Sequence, residues 1–109
     1  MEAIVKQAEK LGEAIAGHAR CQALAEAREA LAKDETARGL QADYEAATEN
    51  LQKKMAAGEV LEPEDKRREA DLRSRLAANE TLVALIRAQA DFHELMVTVN
   101  QTLERAIRL

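Results

Sequence analysis

Apolar residues recur at helical spacing along almost the whole of this chain. Ile4, Ala8, Leu11 and Ile15 stand 4-3-4 apart, the stripe of an amphipathic helix. Gly17 then predicts a break or kink, because glycine is poor in helix interiors. The period resumes with Cys21, Leu24, Ala27 and Leu31. Asp34 reads as an N-cap, its carboxylate able to accept from the free N–H groups of the turn that follows. Leu40, Tyr44, Ala47, Leu51 and Met55 stripe the next helix, which Gly58 ends as the residue just past the C-cap. Pro63 suits the first turn of a further helix, with Glu64 and Asp65 beside the positive end of its dipole. Asn79 is another candidate cap. The predicted helices are therefore 3–16, 18–32, 35–57, 63–78 and 80–107 in a single domain.

The last segment carries the strongest pattern. Leu82, Leu85, Gln89, Phe92, Met96, Val99, Leu103 and Ala106 alternate by three and four, as in a coiled-coil seam, with Gln89 as the one polar position. At 1.5 Å per residue the segment would be roughly 42 Å long, against a radius of gyration of about 13 Å for a compact domain of this size. Such helices predict an elongated antiparallel bundle with a small core. The final helix is apolar on more than one side, which predicts a homodimer or higher oligomer. The candidate association surface is Leu82, Leu85, Phe92, Met96, Val99 and Leu103. The same stripe would equally serve as intramolecular core, since every bundle helix needs one.

Composition sharpens this picture. Of 109 residues 47% are hydrophobic, yet 23 are alanine, which favours helix and buries little. Tyr44 and Phe92 are the only aromatics, and four glycines with one proline leave little material for β-turns. The fold class is all-α. With 20 acids against 16 bases the net charge is −4, which argues against a polyanion-binding domain. Lys66, Arg67, Arg68, Arg73 and Arg75 nevertheless form a basic cluster. Glu64, Asp65, Glu69 and Asp71 interleave with it, and Glu64–Arg68 and Glu69–Arg73 fall at i,i+4, the pattern of a self-paired solvated face. No aromatic residue stands there to stack on bases.

Candidate chemistry is sparse. His18 and Cys21 share one helix face, but two ligands do not complete a zinc site, and His93 is far away in sequence. His93-Glu94 opens like a zincin helix, yet Val97 stands where the second histidine belongs. The single serine, Ser74, sits between Arg73 and Arg75, and the glycines form no phosphate loop. No catalytic, cofactor or metal site is expected. Cys21 is the only cysteine, the N-terminal residues form no signal-peptide run, and no apolar stretch is of membrane-spanning length. A cytoplasmic location is the expectation.

Four phrases together resemble the YlbF/YmcA family of small helical bacterial regulators. They are Leu31-Ala32-Lys33-Asp34-Glu35-Thr36-Ala37, the loop Gly58-Glu59-Val60-Leu61-Glu62-Pro63-Glu64, Leu76-Ala77-Ala78-Asn79-Glu80-Thr81-Leu82-Val83, and Ala90-Asp91-Phe92-His93-Glu94-Leu95-Met96-Val97-Thr98-Val99-Asn100. The resemblance implies an oligomerising helical bundle with no catalytic residues. It implies a regulatory partner protein of the kind that acts in competence, sporulation and biofilm control, in a complex linked to the messenger-RNA-processing enzyme ribonuclease Y. Some relatives hold iron–sulfur clusters on cysteines near the C-terminus; the one cysteine here is near the other end, so no cluster is expected. The expected partners are a second copy and a regulatory protein. Two other readings are an RNA-associated module using the 66–75 bases and a chaperone-like helical hairpin.

Overall fold

The computed structural model describes residues 1–109. Five helices follow one another with no strand: α1 (Glu2–Ala16), α2 (Ala19–Lys33), α3 (Glu35–Ala56), α4 (Pro63–Ala78) and α5 (Glu80–Ile107). The chain divides into two compact units, one made of Met1–Glu29 with Leu85–Leu109, the other of Ala30–Ala84.

In the Ala30–Ala84 unit the helix ends are set by side chains at fixed places. The Asp34 carboxylate accepts from the Ala37 N–H at 3.0 Å and opens α3. At the other end Glu59 N–H donates to the Lys54 carbonyl (2.9 Å) and Gly58 N–H to that of Met55 (3.1 Å). This pair of bonds is a Schellman motif. It requires a left-handed residue, and Gly58 supplies one with φ of 72°. Pro63 occupies the first turn of α4, where its missing N–H costs nothing. Asn79 has extended backbone, which ends α4, and its side-chain oxygen accepts from Leu82 N–H at 3.0 Å, which starts α5.

α3 and α4 form an antiparallel hairpin whose register is given by side-chain bonds. Tyr44 Oη donates to Glu69 Oε1 (3.1 Å), Asn50 Nδ2 to Asp65 Oδ1 (3.3 Å), and Lys54 Nζ to Asp65 Oδ2 (2.6 Å). Going up α3 is going down α4. At the open end Thr81 Oγ1 donates to Asp34 Oδ2 at 2.7 Å and so ties the start of α5 to the start of α3. The core between these helices is thin. Ala37 is fully covered, and Ala47, Leu72 and Leu82 are buried, while Leu40, Tyr44, Leu51 and Leu76 are half-buried.

Periodicity alone puts Met55 on the inward stripe of α3. The structure corrects this: Met55 is 66% exposed and Lys54 takes the inward position. Three and four residues after Leu51 both suit a helix face. The choice goes to Lys54 because its ammonium meets Asp65 across the hairpin.

The second unit holds α1, most of α2 and the longer part of α5. Leu24 and Ala27 of α2 and Leu85 and Ala88 of α5 are its buried side chains. Arg20 Nη1 donates to the Asp91 carbonyl at 3.4 Å, which brings the first turn of α2 beside the middle of α5. Between α1 and α2, Gly17 keeps an ordinary right-handed conformation (φ −81°, ψ −9°). The chain breaks at Gly17, the C-cap of α1, and His18 follows, its Nδ1 accepting from Arg20 N–H at 3.0 Å in the first turn of α2.

Three substitutions test this packing and capping. Leu72→Ala should cost about 2–5 kcal/mol in urea unfolding, as expected for a buried leucine. Gly58→Ala should cost about 1–2 kcal/mol, since a left-handed alanine is strained whatever the space around it. By contrast Gly39→Ala, in mid-helix with open space at its Cβ, should stabilise by about 0.5–1 kcal/mol.

Candidate interaction surfaces

α1 has no buried residue. Its apolar edge leaves Ile4 (69%) and Val5 exposed, with Leu11 at the margin and Ile15 half-buried. Further along the same unit, α5 half-buries Phe92, Leu95, Met96 and Val99, and exposes Val97, Leu103 and Ile107.

The six residues of the predicted seam therefore divide. Leu82 and Leu85, at 3% and 6% exposure, are covered by the chain itself. Phe92, Met96 and Val99 are partly covered, and Leu103 is 46% exposed. The last four remain a continuous stripe, spaced 4-3-4 on α5. Ile4, Val5 and Ile107 extend the exposed apolar surface of this unit beyond the predicted residues. A helical stripe looks the same in sequence whether or not a neighbour covers it, so periodicity could not single these out.

The five bases of the cluster all lie exposed on α4. Arg73 Nη1 is 3.6 Å from Glu69 Oε1 and Arg75 Nη2 is 3.1 Å from Asp71 Oδ2, both at i,i+4. The acids do not behave as a uniform interleaving set. Asp65 and Glu69 turn toward α3, each with only 17% of its side chain exposed. The sequence did carry a signal for this, because Asp65, Glu69, Leu72 and Leu76 run 4-3-4 like any inward stripe.

Two carboxylates hold this unit together and titrate accordingly. Asp34 is held below the ordinary carboxyl value, first by the Ala37 N–H and then by the Thr81 hydroxyl. Asp65 is also lowered, chiefly by the Lys54 ammonium, with the Glu62 N–H and the Asn50 amide adding to the effect. Lys54 is raised by the same pair. The Tyr44 phenol is raised because it donates to Glu69, a bond available only to its neutral form.

His18 is exposed and engaged as a cap, and Cys21 is a half-buried free thiol. No three His, Cys, Asp or Glu side chains converge so as to hold a metal ion. No helix is long and apolar enough to cross a membrane.

Signs of the pH dependence follow from these shifts. Asp34 and Asp65 have folded values below their unfolded ones, so their contribution is present above about pH 4 and lost as pH falls through the folded values. Lys54 and Tyr44 are raised, so theirs is present below about pH 10 and lost as pH rises through the folded values. The melting temperature should therefore fall below about pH 4, and an Asp34→Asn/Asp65→Asn variant should show a flatter acid limb. Tyr44 is the only tyrosine, so absorbance titration should find its phenol ionising above free tyrosine and moving back toward it in Glu69→Gln, which removes the carboxylate charge.

No match was found among curated proteins. A family model described as control of competence regulator ComK, YlbF/YmcA, matches residues 4–108. That span takes in α2 to α5 whole and all but the first two residues of α1, with the capped junctions at Asp34 and Asn79 and the Gly58 loop between α3 and α4. The chain belongs to the YlbF/YmcA family of regulators.

Proposed function

We propose that this chain is a non-enzymatic cytoplasmic adaptor that self-associates and regulates through protein contacts. The observation that carries the proposal is the apolar surface left open on α1 and the end of α5, in a member of a regulator family. Ile4, Leu103 and Ile107 are large aliphatic side chains, 69%, 46% and 63% exposed, within one compact unit. Exposed large apolar surface marks association sites when it exceeds what a free monomer carries. A second copy is the first occupant of the face, with a regulatory partner protein acting on the assembled form. The processes regulated are competence, sporulation or biofilm formation, or messenger-RNA processing.

Sedimentation of the purified chain should give a dimer or larger species at micromolar concentration. Leu103→Glu/Ile107→Glu should lower the mass to that of the monomer while leaving helicity unchanged, since both side chains are exposed. A wild-type monomer, or an unchanged assembly in the variant, would count against the proposal. In cells lacking the chain, wild type should restore competence, sporulation or biofilm formation and the variant should not.

A further inference from the structure

The outward face of α4 combines bases and small side chains in an arrangement that the composition of the helix conceals. Successive residues turn by about 100° around a helix. Asp65, Glu69, Leu72 and Leu76 define the side toward α3. Glu64, Arg68, Asp71 and Arg75 gather along one flank, where Arg75 pairs with Asp71 at 3.1 Å. The remaining arc, about a third of the circumference, holds Pro63, Lys66, Arg67, Ala70, Arg73, Ser74 and Ala77, every one exposed. It contains three bases and no acid. Of its bases only Arg73 touches a carboxylate, at 3.6 Å from Glu69, and its side chain stays 66% exposed.

Two acids that alternate with these bases in sequence are turned toward α3, and only Glu69 still reaches one of them, at 3.6 Å from Arg73. Asp65 is taken by Lys54, Asn50 and the Glu62 N–H, and Glu69 accepts from Tyr44. The fold thus separates charges that alternate in sequence, and produces a positive face on a protein whose net charge is −4.

We infer that this face docks an acidic helical segment of a partner protein. Lys66 and Arg73 lie two turns apart, about 10 Å, matching carboxylates two turns apart on a partner helix. Ala70, Ser74 and Ala77 between them form a floor low enough for another helix to approach closely. Charge complementarity then sets register and association rate. A nucleic acid is the poorer fit. Neither of the chain's aromatics lies on α4, the bases cover a short length, and the overall charge repels a polyanion. This surface is separate from the proposed self-association face, and the two fail independently. Loss of acidic-segment binding would leave sedimentation unchanged.

The test uses the full chain and three probes: a helix-forming peptide with glutamates seven residues apart, unstructured polyglutamate, and single-stranded RNA of equal charge. The helical peptide should bind, more tightly than either other probe and less tightly as salt rises. Lys66→Gln/Arg67→Gln/Arg73→Gln should weaken it by about tenfold or more, while Arg68→Gln/Arg75→Gln on the other flank should change it by less than about twofold. Ser74→Glu, which places a carboxylate in the middle of the face, should abolish binding with circular dichroism unchanged. No binding of the peptide, equal losses from the two sets of variants, or tighter binding of the RNA would each overturn the inference.

Discussion

Asp34 uses its two carboxylate oxygens in two directions. One accepts from the Ala37 N–H and opens α3; the other accepts from the Thr81 hydroxyl in the first turn of α5. A residue far along the chain is thereby fixed to the start of the hairpin by a short charged hydrogen bond. Both donors favour the ionised form, so the cap and the tie strengthen together. Asp65 repeats the principle at the other end of the hairpin, serving the first turn of α4, Asn50 and Lys54 at once. With Ala37 and Ala47 among the few buried side chains, burial alone gives this unit little to specify register. Carboxylates with several donors supply what alanine cannot.

The same economy shapes the surface. Once Asp65 and Glu69 face α3, little of their charge reaches the solvent side of α4, where Arg73 keeps only a 3.6 Å contact to Glu69 and stays 66% exposed. In the other unit the shortage works the opposite way. Leu24, Ala27, Leu85 and Ala88 close a small core, while large aliphatic side chains on α1 and the end of α5 remain uncovered. An alanine-rich chain buries little and leaves much of its larger apolar material on faces open to a partner. The chain that does so belongs to a family of regulators.

Much of this was legible beforehand because it is local. Asp34, Gly58, Pro63 and Asn79 act within one turn of themselves, through capping oxygens, a left-handed backbone and an absent N–H. Helical periodicity and the want of turn formers were enough for the all-α class. The same local logic misplaced Met55, because Leu51 is followed at both three and four residues by a side chain that could face inward. It was also silent on His18 as the cap of α2, since imidazole is an uncommon acceptor in that position.

What the sequence determined by itself, then, is where helices start and stop, because those choices are made by neighbours in the chain. Which side of each helix is covered, and which charges cancel, is settled by packing. Leu82 and Leu103 occupy equivalent places in one heptad pattern, yet one is buried and the other open. Glu64 and Asp65 are adjacent acids, yet one stays at the surface and the other is bound across the hairpin. The physical reason is the same in both cases. Burial and ion pairing depend on what lies opposite, and that is set by packing between helices rather than by the period within one.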